Sequence, residues 1–195
     1  NYLTPIVWES INDVIVGAKE IMGFLKKVSR LVASENLPVC WTTPKPLNFP
    51  VQMMCYKKES KRVKTKMGDS IIKLSIQSDT DEIDKRKTAQ SICPNLIHSL
   101  DASCLMLAVI KAKDKGVTNF SLIHDSFGCV APDVHKLSEA IREAFCEVYE
   151  QDVLTNWAME MKQMLSDKNA KKFPHIPERG NLDLSLVKQS IFFCV

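Results

Sequence analysis

The segment with the clearest chemical potential covers residues 120–130, FSLIHDSFGCV. An apolar stretch leads into His124, Asp125 and Ser126 and another leads out, which predicts two short strands joined by a tight turn. A carboxylate on such a turn is held by two strands and could bind a metal ion. The string also resembles a protease triad, but adjacent strand residues point to opposite faces, so three consecutive residues cannot converge. A plain polar turn is the alternative interpretation.

Residues 93–103, CPNLIHSLDAS, form a second candidate site. Pro94 predicts a break between two helices, with the second beginning at about residue 95. His98, Asp101 and Ala102 would then share one helix face, because they are spaced i, i+3 and i+4. A polar cluster at a helix N-terminus suits a phosphate or a nucleotide edge. The alternative is a cluster that only caps the helix.

Positive charge is concentrated in one segment of the chain. The chain has 26 Lys+Arg and 23 Asp+Glu, a net charge of +3, yet residues 57–73 hold seven basic residues and two acidic ones. Basic side chains alternate with apolar ones around Gly68-Asp69, which predicts a β-hairpin over about residues 55–78. Such a ribbon fits the DNA major groove, whereas a solvated edge hairpin is the alternative. The candidate DNA-binding residues are Lys57, Lys58, Lys61, Arg62, Lys64, Lys66 and Lys73.

The periodicity elsewhere predicts a mostly helical α+β fold, with the two hairpins as its strands. Acidic residues followed by basic ones suit the dipole of a helix over 78–91, and Gly116 suits the C-terminal end of the helix that starts near residue 95. The expected helices cover residues 4–36, 78–91, 95–115, 133–148 and 157–165.

Composition excludes several classes of protein. Hydrophobic residues make up 45% and charged residues 25%, as in ordinary globular domains. No run of eighteen apolar residues occurs, so we expect no membrane span. Seven cysteines without a CxxC pair predict reduced thiols rather than a zinc site. The chain begins with Asn1 rather than Met, and we expect it to be a piece of a longer protein.

Several motifs together resemble the single-subunit, bacteriophage-type DNA-directed RNA polymerases, a family that includes mitochondrial and chloroplast enzymes. The resemblance covers nearly the whole chain and implies a C-terminal fragment. The 94–103 segment followed by the 122–128 segment carries most of it. The supporting segments are Trp41-Thr42-Thr43-Pro44, Phe49-Pro50-Val51-Gln52, the 177–184 segment PERGNLDL and the aromatic C-terminus.

The resemblance implies roles for individual residues. Asp125 corresponds to one of two aspartates that hold a catalytic Mg²⁺ pair, and His124 would orient the primer end. His98 would lie near the ribose of the incoming nucleotide, with Ser99 and Asp101 beside it. The basic hairpin falls where the family has its promoter specificity loop. The aromatic tail would fold back toward the active site.

The chain also departs from the family pattern. Cys104 stands where His is usual, and Cys129 where Thr is common. The motif with the partner aspartate, and the helix whose Arg, Lys and Tyr grip the nucleotide, are not in these residues. We therefore expect the fragment to be inactive alone and its two-metal site to be completed by an aspartate outside this chain.

The resemblance further implies parts of a right-hand polymerase. Residues 1–97 would be fingers and residues 98–195 palm. The implied partners are double-stranded promoter DNA, template DNA, nascent RNA, ribonucleoside triphosphates and the rest of the polymerase chain. The location would be the host cytoplasm for a phage enzyme, or otherwise the mitochondrion. A family A-like DNA polymerase fragment and a catalytically dead DNA-binding module are the alternatives; the former usually has Glu where Ser126 stands.

Overall fold

The computed structural model describes residues 2–191 and 193, and confirms a mostly helical α+β fold. The helices are α1 Leu3–Val14, α2 Val16–Ser34, α3 Lys85–Asp114, α4 Val134–Glu150, α5 Val153–Met164, α6 Asp167–Ala170 and α7 Ser185–Gln189, with a 3₁₀ turn at Ala131–Asp133. The strands are β1 Val39–Thr42, β2 Pro50–Met53, β3 Tyr56–Met67, β4 Ser70–Ile83, β5 Phe120–Ile123 and β6 Ser126–Cys129. They pair in order as three antiparallel hairpins, β1–β2, β3–β4 and β5–β6.

Helix α3 is the central element, and α2 and α4 pack against it. The stripe of α2 formed by Phe24, Leu25, Val28 and Val32 is buried, with spacings of one, three and four residues. Each such side chain contributes about 1.5–3 kcal/mol on full burial. The main core also includes Val39, Trp41, Met53, Cys55, Ile92, Leu96, Trp157, Ala158, Met161 and Leu165.

The C-terminal half of α3 packs on α4 in two smaller clusters. Leu107 and Ala108 contact Ala144 and Val148, and Ala112 lies in a cluster with Leu137 and Ala140. Ion pairs of Lys111 with Glu147, and of Lys115 with Glu139 and Glu143, join the two helices outside these clusters. Hydrogen bonds from the Lys115 ammonium to Glu143 and Glu139 raise its pKa. Helices α3 and α4 are therefore held together at the point where the β5–β6 hairpin follows α3.

The N-terminal prediction of one long helix is wrong. Ile15, at φ −110° and ψ 61°, separates α1 from α2. Ile6, Val7 and Val14 are exposed, so the apolar stripe of α1 is not part of the described core. The apolar periodicity of the sequence does not show whether another surface covers the apolar stripe of α1. It also does not show that one residue within a continuous pattern, here Ile15, is non-helical.

The predicted helix over residues 78–91 is also wrong in its first half. Residues 78–83 extend strand β4, and α3 begins at Lys85 with Asp84 as its N-cap. The Asp84 carboxylate accepts hydrogen bonds from the backbone N–H groups of Arg86 and Lys87, both at 2.9 Å. The acidic run therefore belongs to the base of the hairpin rather than to a helix N-terminus.

Pro94 does not end a helix, contrary to expectation. It lies inside α3, which is continuous for 30 residues. Proline removes one backbone donor, and here the deprived carbonyl belongs to the exposed Gln90, where water can replace the bond. Asn95 follows Pro94 and donates from its side chain to the Ser91 carbonyl at 2.8 Å. Packing on both sides of α3 offsets the lost bond.

Other predicted boundaries are confirmed. Gly116, at φ 88°, ends α3: its N–H donates to the Lys113 carbonyl and that of Val117 to the Ala112 carbonyl. This pair of bonds is the Schellman motif, which favours glycine. Helices α4 and α5 follow where expected, although α5 begins at Val153. The six cysteines in the described part of the chain are free thiols.

Helix α3 is long and apolar enough, by length and composition alone, to cross a membrane, which the search for continuous apolar runs did not predict. Ile92, Leu96, Leu107 and Ala108 of α3 are buried in the core, whereas Ile97 and Ile110 are exposed; core helices of other proteins also pass the same test. The proposed fingers–palm boundary at residues 97 and 98 also falls inside α3.

Candidate catalytic and nucleic-acid sites

Strands β5 and β6 hold His124 and Asp125 at the tip of a two-residue turn. Ile123 pairs with Ser126 directly across the turn, and His124 adopts φ 53°. Phe127 packs on the α3–α4 base and anchors the hairpin there. A Cβ on Gly128 would lie 3.3 Å from both the Cβ and the carbonyl oxygen of Ser121, so glycine suits the close strand approach. The predicted strand–turn–strand is confirmed, and it projects the two polar side chains outward.

The Asp125 carboxylate is exposed and its oxygens are available to a ligand. Within the described part of the chain it forms no hydrogen bond or ion pair, and neither does the exposed His124 side chain. A carboxylate on an anchored turn fits Mg²⁺, which prefers oxygen ligands. Residues 2–191 and 193 contain no group of three acidic, His or Cys side chains that could hold a metal ion. The donor set at Asp125 thus fits one ligand of a magnesium site, with further ligands to come from elsewhere.

A cavity of about 330 Å³ lies beside Asp125. Asp125, Ser126 and Phe127 form one wall, and helix α4 forms another. Phe193 lines the same cavity, so the C-terminal segment does turn back toward the candidate catalytic hairpin. The lining residues on α4 are Val134, Leu137, Ser138, Ile141 and Arg142. Arg142 was not singled out from the sequence, because an arginine within an amphipathic helix carries no distinctive pattern.

His98 and Asp101 lie on an exposed face of α3, one turn apart. They are in the middle of the helix, so the expectation of a phosphate-binding helix N-terminus is wrong. Helix dipole effects fall off beyond the first turn, and the backbone N–H groups here are used within the helix. In the described residues no hydrogen bond or ion pair joins His98 or Asp101 to His124 or Asp125. Any contact with a nucleotide would therefore use these side chains directly.

Ser99 differs from its neighbours because its hydroxyl is engaged inside the protein. It accepts a hydrogen bond from Trp41 Nε1 at 3.0 Å and donates to the Leu96 carbonyl at 2.7 Å. Trp41 is 4% exposed, so Ser99 supplies the partner of a buried indole N–H. This bond ties β1 to α3 below the face that carries His98.

Asp101 influences two half-buried groups near it. Burial raises the pKa of the Cys104 thiol to about 12, with the negative charge of Asp101 as a second cause. Burial likewise raises the pKa of Tyr149 to about 12. Cys104 is therefore a neutral thiol packed against the core rather than a thiolate nucleophile.

The β3–β4 hairpin is longer than expected and projects from the body. Residues 57–82 are exposed except for the half-buried Thr65, Ile72 and Thr80. Its base is fixed by Asn36, which donates to the Asp81 carbonyl at 3.2 Å and accepts from the Ile83 N–H at 2.8 Å. The turn follows Met67, with Gly68 at φ 62° as predicted.

The strand register fixes which side chains of the hairpin share a face. Arg62 lies opposite Ser75, and Lys64 opposite Lys73, on one face together with Lys66 and Gln77. Val63 opposite Leu74, and Thr65 opposite Ile72, lie on the other face. The predicted basic and partly apolar faces are confirmed, except that Lys61, paired with Ile76, lies on the apolar one.

Charge is unevenly distributed along the hairpin. Lys57 forms an ion pair with Glu82 near the base, and Lys58 lies opposite Asp79. The hydrogen bond to Glu82 raises the pKa of Lys57 and lowers that of Glu82. The unneutralised positive charge is therefore concentrated in the outer half, on Lys61, Arg62, Lys64, Lys66 and Lys73.

Comparison of the sequence with known proteins identifies the family to which this chain belongs. The family model described as DNA-dependent RNA polymerase matches residues 1–172. DNA-directed RNA polymerase 2, chloroplastic/mitochondrial, of Arabidopsis thaliana is 37% identical over 192 residues, which are 98% of this chain and 18% of that protein. T7 RNA polymerase of Escherichia phage T7 is 33% identical over 211 residues, covering 98% of this chain and 23% of its own length.

A mitochondrial DNA-directed RNA polymerase 1 of Nicotiana sylvestris gives a similar match, 33% identical over 98% of this chain and 18% of its own. The chain thus spans about a fifth of the length of these relatives. The matching family is that of RNA polymerases and not the DNA polymerases considered as an alternative. The chain belongs to the DNA-dependent RNA polymerase family, in its single-subunit, phage-type branch.

Proposed function

We propose that the protein carrying this chain extends RNA on a DNA template by nucleotidyl transfer from ribonucleoside triphosphates. The observation that carries the proposal is the exposed Asp125 carboxylate, which lies without a described partner on an anchored turn. Family membership supports the reaction type. In this reaction the RNA 3′-hydroxyl attacks the α-phosphorus, a new P–O bond forms, and pyrophosphate leaves.

Asp125 would be a ligand of the catalytic magnesium pair, together with an aspartate outside this chain. When bound, the metal pair would neutralise charge on the attacking and leaving oxygens. His124 lies beside Asp125 and is exposed, so it can donate a hydrogen bond to the primer end. His98 and Asp101 have the exposure needed to contact a ribose or a nascent base pair. Ser99 would act indirectly, through its bond to Trp41.

The β3–β4 hairpin would bind double-stranded promoter DNA through its basic face. Lys64 and Lys73 lie directly opposite each other, and like charges in that position destabilise a strand pair. A phosphate between them would relieve that repulsion. Arg62 and Gln77, on the same face, have donors that suit base edges in the major groove.

The catalytic and DNA-binding parts fit one portion of a right-hand polymerase, with residues 1–97 in the fingers and 98–195 in the palm. Template DNA and nascent RNA are then further partners, and the rest of the polymerase chain completes the site. The relatives are phage, mitochondrial and chloroplast enzymes. The host cytoplasm and the mitochondrion are accordingly the proposed locations.

A DNA-binding module without catalysis is the second candidate, favoured by one observation. The basic hairpin projects from the body and needs no other element to reach a groove. For this candidate, the 195-residue chain alone should bind DNA tightly, and the combined Ala substitution of Arg62, Lys64 and Lys66 should abolish binding. Weak, non-specific binding by the chain alone favours the polymerase fragment instead.

The polymerase proposal is tested by Asp125→Asn in the complete polymerase. The amide keeps the shape of the side chain but removes its charge, so nucleotide incorporation on a primed template should fall by at least about 10²–10³-fold. DNA binding should be unchanged, because the basic hairpin is untouched. Incorporation is measured at saturating nucleotide and Mg²⁺.

Asp114→Asn is the matched control, since Asp114 is an exposed residue at the end of α3. It should leave incorporation unchanged. Full incorporation by the Asp125→Asn polymerase would contradict the assignment of Asp125 as a metal ligand.

A further inference from the structure

The Arg142 guanidinium connects helix α4 to the C-terminal segment. Its Nη1 donates hydrogen bonds to the carbonyl oxygens of Val187, at 2.9 Å, and Ser190. Val187 lies in the last turn of α7, and Ser190 is the residue directly after that helix. A guanidinium satisfies such carbonyls well, because it presents several donors in a fixed plane.

The same guanidinium also contacts the aromatic ring that follows α7. Its Cζ lies 5.6 Å from the centroid of the Phe193 ring, within the range of a cation–π contact. Phe193 packs edge-on against Phe145, with centroids 5.0 Å apart. One side chain of α4 therefore holds both the backbone and the aromatic ring of this segment.

This contact lies next to the candidate catalytic hairpin. Arg142 and Phe193 line the same cavity as Asp125, Ser126 and Phe127. If the segment moved away from α4, Phe193 would no longer line this cavity.

We propose that Arg142 is a positioning residue of the polymerase, which holds the C-terminal segment on α4 so that Phe193 closes the cavity beside Asp125. The inference rests on the proposed function, because its catalytic consequence requires Asp125 to be a catalytic ligand. Arg142 does not contact the reacting atoms. Its effect passes through Phe193, so loss of either residue has the same consequence.

The first test is hydrogen exchange in the complete polymerase, which does not depend on activity. Arg142→Ala should accelerate amide exchange in the peptide covering residues 184–191, and Arg142→Lys should have a smaller effect because it keeps the charge but loses the planar fork. Arg30→Ala, an exposed arginine on α2, is the matched control and should leave this peptide unchanged. Unchanged exchange in the Arg142→Ala protein would overturn the inference.

The second test is a double-mutant cycle for nucleotide incorporation. Arg142→Ala and Phe193→Ala should each lower kcat/KM by up to roughly 100-fold, the effect expected when a catalytic group is misplaced by about 1 Å. The double variant should be no worse than the poorer single variant. Independent effects that multiply would overturn the inference, because Arg142 would then act without Phe193.

The two tests separate this inference from the proposed function. A complete wild-type polymerase that incorporates no nucleotide would refute the proposed function, and with it the catalytic role of Arg142. Faster exchange at residues 184–191 would in that case still establish Arg142 as the residue that holds the segment. An active polymerase with wild-type kinetics for Arg142→Ala would refute the positioning role alone.

Discussion

At the scale of single residues, Ser99 acts through the fold rather than through a ligand. Its hydroxyl partners the buried Trp41 indole and lies next to the exposed His98. Ser99→Ala would leave the indole N–H without its acceptor and should cost about 1–3 kcal/mol of unfolding free energy. Denaturant unfolding of the 195-residue chain measures this loss.

Ser91→Ala is the matched control for that substitution, since Ser91 is another half-buried serine of α3 and its hydroxyl has no described partner. It should change the unfolding free energy much less. Equal losses for the two variants would mean that the Trp41–Ser99 bond contributes nothing specific.

Glu35 ties the end of α2 to the segment after α5 and predicts an acid-sensitive stability. Its carboxylate accepts hydrogen bonds from Ser166, including Oγ at 2.6 Å, and from Asn169 Nδ2 at 2.6 Å. These hydrogen bonds lower the pKa of Glu35 below its ordinary value of 4.5, and those from Ser166 have the largest effect. The stabilisation is fully present above pH 4.5 and is lost as the pH falls through the lowered value.

Glu35→Gln should therefore be less stable than the wild type near pH 7, and the difference should shrink below pH 4.5. Thermal unfolding of both proteins between pH 3 and 7 measures it. A difference that is independent of pH would show that the charge of Glu35 is not involved.

The sequence predicted the position of Asp125 on a turn between two strands because alternation and a turn are local signals. It did not predict the hydrogen bond between Trp41 and Ser99, because the two residues are 58 positions apart and no local pattern around Ser99 indicates that partner. Arg142 was missed for the same reason, since its acceptors are 45 and 48 residues distant. Contacts between distant residues depend on the packing of α2, α3 and α4, which a single sequence does not display.

At the scale of elements, the β3–β4 hairpin gives the sharpest prediction, because matched lysines lie on its two faces. Lys64 is on the basic face and Lys61 on the apolar one. Lys64→Ala should weaken DNA binding by the complete polymerase and reduce the slope of log K against log salt by about 0.9 if one phosphate contact is lost. Lys61→Ala should change binding and slope less.

Salt-dependent gel shifts with promoter DNA measure both variants. Lys57→Ala should also have a small effect, since Glu82 already neutralises that lysine. An equal loss for Lys61→Ala and Lys64→Ala would contradict the assignment of one DNA-binding face.

The elements themselves were predictable where a local signal marks them. Gly68 and Gly116 have positive φ and end their elements as expected. Pro94 was wrongly expected to end a helix. The carbonyl that it leaves without a backbone N–H donor belongs to the exposed Gln90, so the well-packed α3 can continue through Pro94. The helix start near residue 78 was wrongly predicted from Asp79, Asp81 and Glu82. Acidic residues suit both a helix N-terminus and a strand that lies opposite lysines, and only the pairing with β3 distinguishes the two cases.

At the scale of the whole molecule, the chain has features of a part. It spans about a fifth of its relatives' length, and α1 exposes Leu3, Ile6, Val7 and Val14. In the proposed metal site Asp125 would supply one carboxylate, and a single charged ligand holds Mg²⁺ only weakly in water. We therefore expect catalysis to require residues beyond this chain.

The proposal of a metal site shared between this chain and the rest of the polymerase is tested most directly by nucleotide incorporation on a primed DNA template with Mg²⁺. The 195-residue chain is compared with the complete polymerase. We expect incorporation by the complete polymerase, its loss in the Asp125→Asn variant, and none by the chain alone. Mg²⁺-dependent incorporation by the chain alone, lost on Asp125→Asn, would contradict the claim that this chain holds only half of the metal site.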